Sequence, residues 1–402
     1  MATQPRPSPV LDSARGWVTV ATAFVSMAVV FAVAYSFGAF FAPMAAEFGS
    51  GNGATSLVFG VTAACWFLLS SVTGRIADRI GPRPLLITGA AALTAGLLLT
   101  AAVERLWLGY LTYGLGVGVA VACGYVPLVA AVGGWFARRR AVALAVAVAG
   151  IGVGTLIGAP LAAALIAAHG WRQTHVVFGL AGGVLLLLCA VAVRRPPEPA
   201  QNAPALGTRA LLRTPAFRSL YVATLLSSVA LFATLVFLPP YAAAAGATPV
   251  AAAALVGIIG VSSVVGRIAI GAYAERAGHI RTFRASFAVL AGSFALWLAA
   301  DLLAGSFPAL VAFAVVLGVG YGGWIALAPA VLAELFGVRG LGGVVGLSYT
   351  SSGFGALLGA PLAGLLVDLT GGYGGIVVGA GVCALGAHLA LRPLGRADLG
   401  AR

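Results

Sequence analysis

Long apolar runs separated by short polar segments make up almost the whole pattern of this 402-residue chain. Each run holds about 20 residues or more, the length that an α-helix needs to cross a bilayer. A soluble core could not absorb so much apolar sequence. The pattern therefore predicts an all-α membrane protein with twelve membrane-spanning helices, numbered 1 to 12 in chain order, at residues 17–43, 54–77, 84–103, 107–133, 141–168, 174–193, 218–245, 249–273, 283–304, 308–333, 341–367 and 373–391.

One segment between helices 6 and 7 interrupts this pattern. It reads "RRPPEPAQNAPALGTRALLRTPAFR" from Arg194, and its proline and arginine content is typical of a cytoplasmic linker. We therefore expect an N-terminal six-helix bundle over residues 1–193, a linker over 194–217 and a C-terminal six-helix bundle over 218–402.

The two halves of the chain repeat each other. "GTLIGAPLA" from Gly154 returns as "GALLGAPLA" from Gly355, 201 residues later. "GRIADRIG" from Gly74 returns in degenerate form as "GAYAERAG" from Gly271, 197 residues later. Two echoes at nearly one period indicate two pseudo-symmetric bundles related as parallel repeats.

The basic charge follows the predicted topology. The chain has 23 basic and 10 acidic residues, a net charge of +13, and contains no lysine. With the N-terminus inside, only Arg105 and Arg172 fall outside and Arg267 lies within the membrane. This asymmetry is the positive-inside rule, so the charge requires no nucleic-acid partner. We expect a monomer in the lipid bilayer of a cell inner membrane, with both termini cytoplasmic.

Arg267 is the exception that calls for a function. An isolated arginine at the centre of a membrane helix costs about 2.5–3.5 kcal/mol on insertion scales. The position that matches it at the 197 spacing is Ser70, so the repeated scaffold does not require a cation there. Gly260, Ser263 and Gly271 share its helix face and predict a polar stripe that lines a cavity. Two alternatives are snorkelling to the headgroups and a structural ion pair.

The helix count and the loop after helix 2 resemble the major facilitator superfamily. In that family the Gly-x-x-x-Asp-Arg-x-Gly loop and its second-half copy latch the cytoplasmic ends of the two halves together. The resemblance assigns this latch to seven residues, although simple topology would also place arginines in these loops. They are Gly74, Asp78, Arg79, Gly81, Arg83, Glu275 and Arg276.

Two further stretches resemble monocarboxylate transporters. "GWFARRRAVALAVAVAGIGVG" from Gly134 is similar to their helix 4–5 motif, and "RGWVTVATAFVSMAVVFAVAYSFGAFF" from Arg15 is similar to their first helix. The resemblance implies that Arg267, in helix 8, anchors the carboxylate of the substrate. Bacterial oxalate/formate exchangers are similar relatives.

The chain departs from these relatives at the positions associated with coupling. Tyr35 stands where proton-coupled members have a lysine, and Ser263 stands where they have an aspartate. Helix 11 offers hydroxyls and Tyr349 in place of the second cation of the oxalate exchangers. One membrane cation balances one carboxylate, whereas a dianion would leave a buried charge unmatched.

The rest of the predicted substrate pocket is aromatic. We expect Tyr125 of helix 4, Tyr321 and Trp324 of helix 10, and Phe237 of helix 7 to join Arg267, Ser263 and Tyr35. Ordinary packing or an interfacial aromatic belt would also account for each aromatic side chain.

The sequence thus predicts a secondary active transporter of small monocarboxylates such as lactate or pyruvate, with proton-coupled symport by alternating access. An organic-anion exchanger or an efflux transporter of the same superfamily is the alternative. A membrane sensor is less favoured because the loops are short and no soluble domain is appended. An enzyme is not expected, because no catalytic cluster falls inside the bundle. We expect no cofactor and no metal site.

Overall fold

The computed structural model describes residue 11 and residues 13–136, 138–196, 208–303, 306–337 and 341–394. Helices make up nearly all of these ranges, and no strand occurs in them. The prediction of twelve membrane helices is confirmed. Their bounds are Ala14–Tyr35 with Phe37–Phe48 for helix 1, Asn52–Ile80, Pro82–Ala101, Leu106–Trp135 for helix 4, Arg140–Ala192 for helices 5 and 6, Pro215–Ala244, Pro249–Ala277, His279–Leu302, Phe307–Phe336, Leu341–Thr370 and Gly374–Ala390.

Helices 5 and 6 run through one continuous helical stretch that turns at Gly170, where φ is 81° and ψ is 163°. The predicted linker lies mostly outside the described ranges, apart from a short helix at Thr208–Arg213. The boundaries of the two bundles and the linker stay a prediction.

Helix 4 is broken where the sequence predicted a continuous helix. Pro127 has no N–H to donate to the preceding turn, and the backbone bends at Tyr125, with φ −109° and ψ −78°. The carbonyl of Gly124 accepts a hydrogen bond from the Ser26 hydroxyl of helix 1 at 3.2 Å. The break thus lies where helix 4 contacts helix 1.

The repeated sequence motif has a packing role in each half. A Cβ atom at Gly154 would lie 2.1 Å from the Ala28 carbonyl oxygen, because helix 5 presses directly on helix 1. In the second half, a Cβ atom at Gly355 would lie 2.5 Å from the Leu225 carbonyl oxygen, because helix 11 presses on helix 7. Small residues permit this close approach of membrane helices, so the echo in sequence preserves one helix–helix contact.

Positive-φ glycines recur with the same periods and end matching helices. The pairs Gly49 and Gly246, and Gly81 and Gly278, are each 197 residues apart, and Gly170 and Gly371 are 201 apart. A residue with a side chain rarely adopts these conformations. The chain therefore turns alike in both halves.

The two ends of the bundle differ in charge. We call the end that holds residues 49–51, 102–105, 170, 245–248 and 371–373 the arginine-poor end, and the opposite end the arginine-rich end.

Helices of the two halves contact each other closely toward the arginine-poor end. Phe41 of helix 1 packs on Phe237 of helix 7 with ring centroids 5.0 Å apart. A Cβ atom at Gly257 of helix 8 would lie 2.9 Å from Leu156 Cα of helix 5.

Candidate functional site

Arg267 lies inside the bundle with its guanidinium incompletely bonded. Its Nε and Nη1 atoms are buried and have no hydrogen-bond partner among the described residues. Helix 8 packs tightly on helix 10 at the preceding residue, since a Cβ atom at Gly266 would lie 2.5 Å from the Val319 carbonyl oxygen. The Arg267 Cζ atom lies 5.9 Å from the centre of the Tyr321 ring, within the range of a cation–π interaction.

Four tyrosines surround this guanidinium, two from each half of the chain. Tyr35 of helix 1 lies close to Tyr321 of helix 10. Tyr125 of helix 4 lies close to Tyr349 of helix 11. The Arg267 guanidinium also lies near Tyr35, Tyr125 and Tyr349. We call Arg267 and these four residues the tyrosine cage; each of its tyrosine pairs joins one half to the other.

Aromatic side chains close the cage on the side of the first half. Phe31 packs on Tyr35 and Tyr125, with ring centroids 5.3 Å and 5.7 Å away. Trp66 packs on Phe31 at 5.7 Å. Such walls provide an apolar surface next to the polar groups of the cage, as ligand pockets do.

The sequence matched the Major Facilitator Superfamily profile over residues 23–302. The chain is 31% identical over 380 residues to monocarboxylate transporter 13 of Bos taurus, which covers 93% of this chain and 88% of that protein. It is 31% identical over 378 residues to monocarboxylate transporter 3 of Rattus norvegicus, with 90% and 76% covered. The chain belongs to the monocarboxylate transporter family of the major facilitator superfamily. It is a multi-pass membrane transporter and not an enzyme.

A solved structure shares the fold. The crystal structure of a bacterial homolog of the human lysosomal transporter Spinster, described as inward-facing and unoccupied, superposes with a TM-score of 0.68. It is 15% identical and covers 96% of this chain, with 94% of that chain covered. At this identity the likeness supports the fold alone.

Three predicted pocket residues of this monocarboxylate transporter family member take part in helix–helix packing. Ser263 is buried, donates its hydroxyl to the Gly260 carbonyl at 2.9 Å, and packs its backbone on Gly322 of helix 10. The Trp324 ring packs on Phe287 of helix 9 at 5.6 Å and on Tyr321 of the cage at 5.9 Å. These contacts lie within the second half, because helices 8, 9 and 10 press together there.

Phe237 is the third of these residues, and its role in the pocket stays a prediction. It is fully buried against Phe41 near the arginine-poor end. The polar stripe predicted on helix 8 is also divided, since Gly260 faces Thr155 of helix 5 and Ser263 faces helix 10. Helix packing, which face periodicity cannot specify, decides which of these side chains lines the cage.

Sequence reasoning left Tyr349, Trp66, Phe67 and Phe232 out of the site. Phe232 packs on Trp66 at 5.8 Å, and Phe67 packs on Tyr349 at 5.9 Å. The repeat offered one signal, because Phe232 lies 197 residues after Tyr35. No such signal pointed to Tyr349.

The predicted latch lies at the arginine-rich end. Gly81 ends helix 2 with φ +86°, and Gly278, at the matching position of the second half, ends helix 8 with φ +87°. Gly74 packs against Val126 of helix 4. The side chain of Asp78 lies outside the described residues. The remaining members, Arg79, Arg83, Glu275 and Arg276, are exposed, and the latch stays a prediction.

The described ranges contain no group of three or more His, Cys, Asp or Glu side chains that could hold a metal ion. The donor set of the cage is one guanidinium and four phenols. A guanidinium cannot act as a metal ligand, because it has donors and no acceptor. The cage is instead suited to an anion that accepts hydrogen bonds.

Proposed function

We propose that this protein carries a small monocarboxylate, such as lactate or pyruvate, across the membrane by alternating access. The observation that carries the proposal is the buried Arg267 guanidinium, whose Nε and Nη1 atoms have no partner in the described part of the chain. A buried cation without a partner is costly. A carboxylate would complete it, because two oxygens match the parallel donors of a guanidinium.

The charge of the cage supports a monoanion. Arg267 is its one ionised member, and the four phenols are neutral donors and acceptors. A single carboxylate leaves the occupied cage neutral, whereas a dianion leaves one negative charge in a low-dielectric site. The family membership agrees with this substrate class.

Residues from both halves surround the bound cargo in this mechanism. Arg267, Tyr321 and Tyr349 move with the second half, and Tyr35 and Tyr125 move with the first. A carboxylate held by Arg267 offers acceptors to hydroxyls of both halves. Binding therefore favours the closed arrangement, from which the transporter opens to the other side.

Proton coupling is proposed to require bound cargo. Tyr35 and Ser263 replace the lysine and aspartate of proton-coupled relatives, so a proton would accompany the substrate–Arg267 pair or Tyr35. Anion exchange without protons is the second candidate, favoured by the same two replacements. Proteoliposomes loaded with pyranine separate the two: lactate-dependent acidification indicates symport, and counterflow without acidification indicates exchange.

Radiolabel uptake of a monocarboxylate panel tests the substrate site directly. We expect Arg267→Gln to lower carboxylate affinity at least tenfold, and Arg267→Lys to recover part of the loss, since an ammonium lacks the fork. Arg105→Gln, which removes an exposed arginine far from the cage, is the matched control. Normal transport by folded Arg267→Gln would refute the proposal.

The proposed setting is the inner membrane, with a monomer whose arginine-poor end faces away from the cytoplasm and whose termini are cytoplasmic. Reporter fusions at the C-terminus test the orientation, and a reporter signal from outside the cytoplasm would contradict it.

A further inference from the structure

Helix 2 begins without a cap of its own. Its N-cap residue is Gly51, which has no side chain, and no acidic residue lies in its first turn. The first N–H groups of a helix have no partner inside the helix and carry its positive partial charge. Something else must satisfy them.

The cap comes from helix 11, in the other half of the chain. Asp368 Oδ1 accepts hydrogen bonds from the Asn52 backbone N–H and the Asn52 side-chain amide, both at 2.8 Å. Asp368 Oδ2 accepts one from the Gly53 N–H at 2.9 Å. One carboxylate thus holds the start of helix 2 with three hydrogen bonds that cross between the halves.

The backbones around this contact are shaped for close approach. A Cβ atom at Gly51 would lie 2.8 Å from Asp368 Oδ2, and one at Gly364 would lie 2.5 Å from the Asn52 carbonyl oxygen. One turn deeper, the Ser56 hydroxyl donates to the Ala360 carbonyl at 3.0 Å. Helices 2 and 11 therefore form a continuous seam from the arginine-poor end toward the centre.

The repeat provides an internal comparison. The position matching Gly51 is Thr248, 197 residues later, and its hydroxyl caps its own helix 8 by accepting from the Ala251 N–H at 3.3 Å. The position matching Asp368 at the 201 spacing is Ala167 in helix 5, which has no carboxylate to offer. The repeated scaffold therefore does not require a cap from the opposite half. Helix 8 is capped by its own Thr248, whereas helix 2 is capped by Asp368 of the other half.

We propose that Asp368 is a gating residue that stabilises the closed arrangement of the arginine-poor end by capping helix 2. When helices 2 and 11 separate there, the carboxylate and the helix N-terminus both return to water. The contact exists only in the closed arrangement, so its whole net free energy acts on the opening equilibrium. The inference rests on the fold and does not depend on which substrate the cage binds.

Pulsed electron–electron double resonance, which measures distances between two spin labels, tests this gate in the full-length protein. Alanines replace the four native cysteines, and spin-labelled cysteines replace Glu104 and Leu302. Both positions are exposed at the arginine-poor end, in opposite halves. Three charge-assisted hydrogen bonds at the exposed end of the bundle stabilise the closed arrangement only modestly, because solvent screens them. We expect Asp368→Ala to raise the ratio of long to short distances about fivefold to tenfold.

Two further variants separate gating from folding. Asp301→Asn removes a carboxylate from the same end, but Asp301 accepts from Tyr241 within the second half at 3.0 Å, so its distances should stay as in the parent. The double variant Gly51→Ser with Asp368→Ala gives helix 2 a cap of its own without the link between halves. It should remain open. An unchanged distance distribution in Asp368→Ala, or closure restored by Gly51→Ser, would overturn the proposal.

Discussion

Alanine substitutions at the glycines of the repeated motif should lower the stability of the fold, whereas alanine at a glycine outside the helix contacts should not. In Gly154→Ala the new methyl group would lie 2.1 Å from the Ala28 carbonyl oxygen. Close carbon–oxygen contacts between helices have distances of about 3.3 Å, so helices 1 and 5 must separate locally by about 1.2 Å. The obstructing atom belongs to a helix backbone and cannot rotate away.

The magnitude follows from two opposing effects. Overpacking of this kind costs about 3 kcal/mol, the upper end of the usual range, because no flexible side chain can absorb it. Alanine is favoured over glycine inside a helix by about 1 kcal/mol. Gly154→Ala should therefore destabilise the fold by about 2 kcal/mol.

A matched glycine isolates the packing effect. A methyl group added at Gly292 of helix 9 would meet no atom within 4 Å, so Gly292→Ala retains only the helix-propensity gain. Gly355→Ala, with 2.5 Å to the Leu225 carbonyl oxygen, should fall between the two. Unfolding in mixed detergent micelles, followed by circular dichroism, measures the order. Equal stabilities of Gly154→Ala and Gly292→Ala would refute the packing argument.

Three further predictions concern transport. Tyr349→Phe removes one hydroxyl from the cage and should weaken monocarboxylate uptake about threefold to tenfold, measured as apparent affinity in proteoliposomes, with Tyr373→Phe as the control outside the cage. Unaltered affinity would exclude the Tyr349 hydroxyl from binding. Dianions such as oxalate should compete poorly with lactate, and competition at equal concentration would contradict the charge argument. Substrate-free protein should leak protons no faster than empty liposomes in the pyranine assay; a rapid leak would show that protons move without cargo.

The sequence by itself determined the architecture of this protein. Apolar runs of membrane-spanning length specify twelve helices because a bilayer leaves backbone groups no other partner. The two echoes around Gly74 and Gly154 specify the repeat, and the structure shows why the second survives: its glycines press helix 5 on helix 1 and helix 11 on helix 7. Arg267 was identifiable as a candidate site residue because a cation inside a membrane helix requires compensation.

Only the tertiary structure decided which side chains meet. Tyr125 and Tyr349 are far apart in sequence and lie in different halves, and their proximity depends on the bend in helix 4 and on the relative placement of the bundles. Ser263 and Phe237 have suitable chemistry and suitable helices, yet close packing turns them into contacts between helices. The cap that Asp368 provides to helix 2 is likewise invisible in sequence, because hydrophobic periodicity records which residues face inward but not which helix each one faces.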